Sequence, residues 1–106
     1  MSEVLLVLTN LPDRAAAEHI AEALVTNRAA ACVNILHGCT SVYRWQGGLE
    51  RAEEVPLLIK TTRAAYAGLE QKLRELHPYE VPEIVALPVT AGWPAYLDWV
   101  ATETKE

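Results

Sequence analysis

Residues 31–62 constrain this chain more than any other stretch. They supply the β-branched, aromatic and aliphatic side chains that strands favour, among them Val33, Ile35, Val42, Tyr43 and Trp45, and then Val55, Leu57, Leu58 and Ile59. The pattern predicts two long strands, over 32–45 and 49–62, joined by a turn at Gln46-Gly47-Gly48. Gly47 and Gly48 can take the positive φ that a tight hairpin turn requires. At roughly 3.3 Å per residue, a strand of about fourteen residues spans about 46 Å. That is more than twice the usual length of about five or six residues. Part of this β-ribbon is therefore expected to project past the sheet that holds its base. A long exposed edge invites pairing with another chain, so the ribbon reads first as an assembly device.

The rest of the chain is arranged around it. Residues 4–9, Val-Leu-Leu-Val-Leu-Thr, form an apolar run without alternation, as in a central strand. Asp13 is a candidate N-cap for a helix whose Ala17, Ile20, Ala21, Leu24 and Val25 recur at helical spacing, with His19 among its polar positions. Thr62 can cap a second helix with Tyr66, Leu69, Leu73 and Leu76 on one side, and Pro78 stops it at His77. A fourth strand is expected within 81–90, starting near Glu83, with Pro88 marking it as an edge strand or a bulge. Pro94 suits the first turn of a short final helix carrying Leu97, Val100 and Ala101, and residues 102–106 are expected to fray.

This order predicts a single domain over residues 1–106 of α+β class. The plan is a ferredoxin-like split β-α-β arrangement, β-α-β-β-α-β plus a C-terminal helix, with the long ribbon at its centre and an antiparallel sheet in the order 4-1-3-2. Helices cover one sheet face only. The other face is also apolar, which gives a second reason to expect oligomers.

Composition bounds the function. The 106 residues carry a net charge of −5, and 51 % are hydrophobic. An acidic balance argues against nonspecific nucleic-acid binding. Met1-Ser2-Glu3 shows no basic leader before an apolar segment, and no run of about 18 apolar residues exists to span a membrane. A cytoplasmic location is expected, with Cys32 and Cys39 reduced. At an odd separation in one strand, the two thiols are expected on opposite faces.

The segment His77-Pro78-Tyr79-Glu80-Val81-Pro82-Glu83-Ile84 is the most unusual local sequence. Two prolines fix the backbone around a histidine, a tyrosine and two acids. It is either a rigid helix-to-strand connection or a preorganised polar cluster of the kind that binding loops present. Lys60 follows an apolar stretch, so it meets solvent, an acid or an anionic ligand. No Gly-rich phosphate loop is present, and no nucleophile beside a general base is readable, so catalysis is not expected. His37, within the ribbon, is read as structural.

Several motifs occur together in one order. They are Ala31-Cys32-Val33-Asn34-Ile35, Ser41-Val42-Tyr43-Arg44-Trp45-Gln46-Gly47, Ile59-Lys60-Thr61-Thr62, the segment from His77 to Ile84, Leu87-Pro88-Val89 and Tyr96-Leu97-Asp98-Trp99. Together they resemble the divalent cation tolerance family, CutA. The resemblance implies a homotrimer built by the ribbons, a part in the response to copper and other divalent metals, and a likeness to the trimeric PII signalling proteins. It names no protein partner. Relatives with a proposed copper site have a cysteine at the end of the first strand and two adjacent histidines before Pro-Tyr. Here those positions hold Thr9, Leu76 and His77. The metal candidates are therefore His77, Glu80 and Glu83, for weak binding of copper or another divalent ion that folding does not require. Under the alternative, PII-like reading, Lys60, Tyr79, Asn34 and Trp45 line an intersubunit cleft for a small anionic effector.

Overall fold

The computed structural model describes residues 3–105, so the reading of the first residues as a chain without a leader lies outside them. The elements run β1 (Val4–Leu11), α1 (Arg14–Thr26), β2 (Cys32–Ile35), β3 (Cys39–Trp45), β4 (Gly48–Thr62), α2 (Arg63–Leu76), β5 (Val85–Pro88) and α3 (Pro94–Glu103). The sheet order is β2-β4-β1-β5, with β3 also pairing β4, and every pairing is antiparallel. With β2 and β3 taken as one arm, this is the expected 4-1-3-2 order of the ferredoxin-like plan.

Side chains in register share a sheet face. Val7 and Leu11 of β1 and Leu57 and Ile59 of β4 fall on the face that α1 and α2 cover. There they pack with Ile20, Leu24, Leu69 and Leu73 into the main core. Asp13 caps α1, its carboxylate accepting the Ala16 N–H at 2.8 Å. The Thr62 hydroxyl caps α2 by accepting the Ala65 N–H at 3.2 Å. Val25 of α1 is exposed rather than buried with its helical neighbours. At the end of the sheet opposite the hairpin turn, Val100 of α3 packs with Val4 and Ala31. Helix α3 continues to Glu103, where fraying was expected, and the Thr104 hydroxyl donates to the Val100 carbonyl at 3.0 Å.

The opposite sheet face stays largely uncovered. Leu6 and Leu8 of β1 align with Leu87 and Val85 of β5, and Leu8 aligns with Leu58 of β4. Val85 and Leu87 are each 46 % exposed.

The ribbon projects as expected. β1 ends at Leu11, opposite Val55, so β4 beyond that point pairs only with β3. The ribbon's first arm, however, is not one continuous strand. Ile35 pairs with Leu57 and Cys39 with Glu54, so four steps on one arm oppose three on the other. Residues 36–38 form a bulge, which leaves His37 exposed. The bulge faces Pro56, whose carbonyl accepts the Leu36 N–H at 3.0 Å. A residue's N–H and C=O point to the same side of a strand, so the donor that proline lacks would have pointed into this gap. The bulge also corrects the expectation for the cysteines. Cys32 aligns with Lys60 and Cys39 with Glu54, an even separation along β4, which places both thiols on the same face. Both are free, and six β4 steps separate them by on the order of 20 Å.

β5 is also shorter than expected. It covers Val85–Pro88, and residues 81–84 are connection. The prolines at 82 and 88 cannot donate to a ladder, which limits the paired run.

At the hairpin turn Gln46 (φ 50°) and Gly47 (φ 82°) are both left-handed, closed by the pair Trp45 and Gly48. This is the two-residue turn whose twist suits a hairpin. A Cβ at Gly47 would meet nothing within 4 Å, so only its backbone conformation favours glycine. Gly47→Val is expected to cost about 1–2 kcal/mol in urea unfolding, while Gln46→Asn, which tolerates the left-handed region better, raises stability. A second expectation concerns Thr9, whose buried hydroxyl has no hydrogen-bond partner. Thr9→Val, which keeps the shape and removes the unpaired group, should stabilise the fold by about 1 kcal/mol in the same measurement.

Candidate functional site

The connection after α2 carries the polar cluster. His77 caps the helix in an extended conformation, its N–H donating to the Leu73 carbonyl at 2.9 Å. Its side chain turns inward and is buried. Nε2 lies 2.8 Å from the Asn10 carbonyl oxygen, and Nδ1 accepts the Tyr79 N–H at 3.2 Å. A carbonyl can only accept and an amide N–H can only donate, so one neutral tautomer satisfies both, with the proton on Nε2. Burial pushes the ring below the usual histidine range, against the opposing pull of the Asn10 carbonyl and the Glu54 charge.

Tyr79 stacks beside this ring, centroids 4.9 Å apart, and donates its phenol hydrogen to Glu54 at 2.7 Å. Burial and the Glu54 carboxylate hold the phenol well above the usual tyrosine range. At the end of β1, the Asn10 amide donates to Glu83 at 3.1 Å. These contacts tie the connection to the ends of β1 and β4. Between the connection and the ribbon they leave a groove of about 930 Å³, lined among others by Tyr43, Trp45, Glu54, Tyr79, Glu80 and Glu83.

The structure thus divides the candidate residues. His77, Tyr79, Glu80, Glu83 and Trp45 lie in or beside the groove. Lys60 and Asn34 do not. Their side chains hydrogen-bond to each other near the opposite end of the sheet, on its uncovered face. Leu76 packs against the core, and Thr9 faces the core beside Leu57. No set of three His, Cys, Asp or Glu side chains among the described residues is placed to hold a metal ion, so His77, Glu80 and Glu83 do not form a ready chelate.

Sequence reasoning missed Glu54, Asn10 and Tyr43. Glu54 is the second of two successive acids ahead of the stretch from Val55 to Ile59, and nothing local sets it apart from Glu53. The signal that could have found it is Pro56, which marks a break in the ladder and therefore a change in which residues of the facing arm share its side.

The chain matches the family profile described as CutA1 divalent ion tolerance protein over residues 5–103. A divalent-cation tolerance protein CutA from Thermus thermophilus is 51 % identical over 104 residues, covering 98 % of this chain and 99 % of that one. Protein CutA of Mus musculus is 45 % identical over 94 residues, which are 89 % of this chain and 53 % of the mouse protein. Among solved structures, the Thermus thermophilus protein superposes with a TM-score of 0.94 at 49 % identity, covering 96 % of this chain and 99 % of that one. CutA from Xylella fastidiosa gives 0.95 at 44 % identity, covering 98 % of this chain and all of that one, 100 %. A plant relative is described as chloroplastic and an archaeal one as periplasmic. Among the described residues here, no helix is long and apolar enough to cross a membrane.

The His77 geometry sets a pH dependence. The unfolded ring takes up a proton near pH 6.5 and the folded ring only at lower pH. In that window the unfolded state binds more protons, so stability falls as pH drops through it. Thermal melting from about pH 8 to about pH 5 should show this loss, with a shallower slope in His77→Gln. Equal slopes would remove His77 as the cause.

Proposed function

The chain belongs to the CutA1 divalent ion tolerance family, and from that premise we propose that it serves divalent-cation tolerance in the cytoplasm as a homotrimer that binds copper or another divalent metal weakly. The observation that supports assembly is the uncovered sheet face. Leu6, Leu8, Leu58, Val85 and Leu87 form a continuous apolar surface on one side of the sheet, while the ribbon extends beyond β1 with one partner strand only. A closed ring of three chains would let each ribbon and each open face find a neighbour, leaving no long edge exposed.

Weak rather than tight metal binding follows from the donors. The Nδ1 lone pair of His77 is the ring position a cation can take, and it already accepts the Tyr79 N–H. A metal there gives up that bond and needs the connection after α2 to open. Glu80 and Glu83 add at most oxygen donors, and one imidazole with carboxylates makes a poorly selective site. The groove histidine is held by two backbone groups, its Nε2 on the Asn10 carbonyl and its Nδ1 on the Tyr79 N–H.

The PII-like reading has its own support. Lys60 is a cation on the apolar sheet face, with Asn34 as its hydrogen-bond partner. Once a neighbour covers that face, the ammonium needs an anion, from a ligand or from the neighbour's own side chains.

Light scattering at micromolar concentration should give three times the chain mass, and a monomer mass would remove the assembled reading. Calorimetric titration should show weak Cu(II) binding that falls off as pH drops through the lowered range in which the buried His77 ring takes up a proton, and that weakens in His77→Ala with the trimer intact. Equal affinity in the two proteins would favour the effector reading centred on Lys60.

A further inference from the structure

We propose that a hollow on the helix side of the molecule, between the C-terminal ends of α1 and α3 and one side of α2, binds a small polyanion through Arg28, Lys72 and Lys105. The anion is a molecule carrying a phosphate group or several carboxylates. The hollow includes no residue of the ribbon and shares Leu69 with the core beneath the helices. It therefore lies away from the apolar sheet face that assembly would cover, and the inference rests neither on the trimer nor on metal binding.

The sign of the charge carries it. The chain has 14 acidic and 9 basic side chains, yet every charged side chain lining this hollow of about 740 Å³ is basic. Arg28 follows α1, Lys72 is on α2 and Lys105 follows α3, so three separate elements bring the cations together. A cleft lined by one sign of charge focuses its field on an ion of the other sign. The protein's own acids do little to neutralise it. Among the described residues the ion pairs are Arg63 with Glu3, outside the hollow, and Arg28 with Glu103 at 4.0 Å between two exposed side chains, a weak pair. Lys72 is half-buried and has no acid against it. The start of α2 is not what makes the site, since the Arg63 N–H already donates to the Glu3 carbonyl and the Ala65 N–H to the Thr62 hydroxyl.

Two residues break local preference at this one place. Gly68 sits in the middle of α2, where glycine weakens a helix relative to alanine. A Cβ there would meet nothing within 4 Å, so packing does not require glycine, and its absence keeps the hollow open. Arg28 has φ 59° at the position after the α1 C-cap, where glycine or asparagine is usual. That choice puts a guanidinium at the rim. Such departures cluster where a site is built. The lining also selects the anion. It has no aromatic ring on which a nucleobase could stack. The Arg28 fork suits two oxygens of a phosphate or carboxylate, and the lysines add point charges. A lone carboxylate cannot meet three cations from three elements, whereas a phosphate ester or a tricarboxylate can. The volume suits a small organic molecule.

Calorimetric titration of the purified protein with glycerol 3-phosphate and with citrate tests this, with acetate and glycerol as controls and thermal melting on every variant. At least one polyanion should bind, the tighter of the two telling phosphate from carboxylate, and the controls should not. Added NaCl should weaken the binding. Lys72→Gln and Arg28→Gln should each weaken it roughly fivefold. Gly68→Leu, which fills the hollow without changing charge, should abolish it at an unchanged melting temperature. Arg14→Gln, at the other end of α1, should leave it unchanged. Several results overturn the proposal: no binding of either polyanion, acetate binding as tightly, unchanged affinity in both Lys72→Gln and Arg28→Gln, or an equal loss in Arg14→Gln, which would mark a general effect of charge. Binding lost in Lys60→Gln but kept in the Lys72 and Arg28 variants would also overturn it, by moving the anion to the lysine on the apolar sheet face.

Discussion

The backbone ladder of β4 is the interaction on which the rest of the structure depends. This strand of 15 residues pairs with β1 along one edge and with β2 and then β3 along the other. Its inner half, with Leu57 and Ile59 at 0 % exposure, anchors the core beneath α1 and α2. Its outer half has no helix behind it and carries the ribbon. One continuous strand thus belongs to two environments, a buried sheet and a projecting two-stranded arm. The groove lies where one gives way to the other, at the end of β1.

That junction is governed by a single residue of register. Without the extra residue in 36–38, continued pairing from Ile35 with Leu57 would set Val42 and Arg44 opposite Glu50 and Gly48, on the groove side. With it, Tyr43 and Trp45 take those places. A one-residue shift exchanges the two faces of a strand completely. Here it replaces an aliphatic side chain and a positive charge with two aromatic rings beside Glu54. The bulge is therefore part of how the groove gets its chemistry, and the proline facing it removes the donor that a regular ladder would have used.

Much of the fold was legible because local chemistry and tertiary packing agree. Asp13 and Thr62 have short polar side chains where helix N–H groups need acceptors, and both cap. Ile20, Leu24, Leu69 and Leu73 recur at helical spacing and are buried. Gly47 takes the positive φ expected of it. The bulge left no mark in the hydrophobic pattern of its own arm, since the residues on either side of 36–38 favour strands, and its one signal, Pro56, lies on the facing arm. The site was half legible for the same reason. Tyr79 stands out between two prolines, but whether Lys60 shares its cleft depends on distance along β4. Glu54 becomes special only when Tyr79 folds over it, from 25 positions away.

The pairing of β1 with β4 has a consequence for how the chain reaches this state. Val4 lies opposite Thr62, so the central pair of the sheet joins segments 58 positions apart. The two arms of the ribbon, by contrast, meet through a turn of only two residues at Gln46 and Gly47. Closing a short loop costs little chain entropy and takes microseconds, whereas contacts of high sequence separation form late and slow the overall rate. The hairpin can therefore form while β1 and α1 are still searching. For that interval, the edge of β4 that β1 will occupy is an unfilled template. Folding rate and the risk of pairing with the wrong strand are set by the same long-range closure.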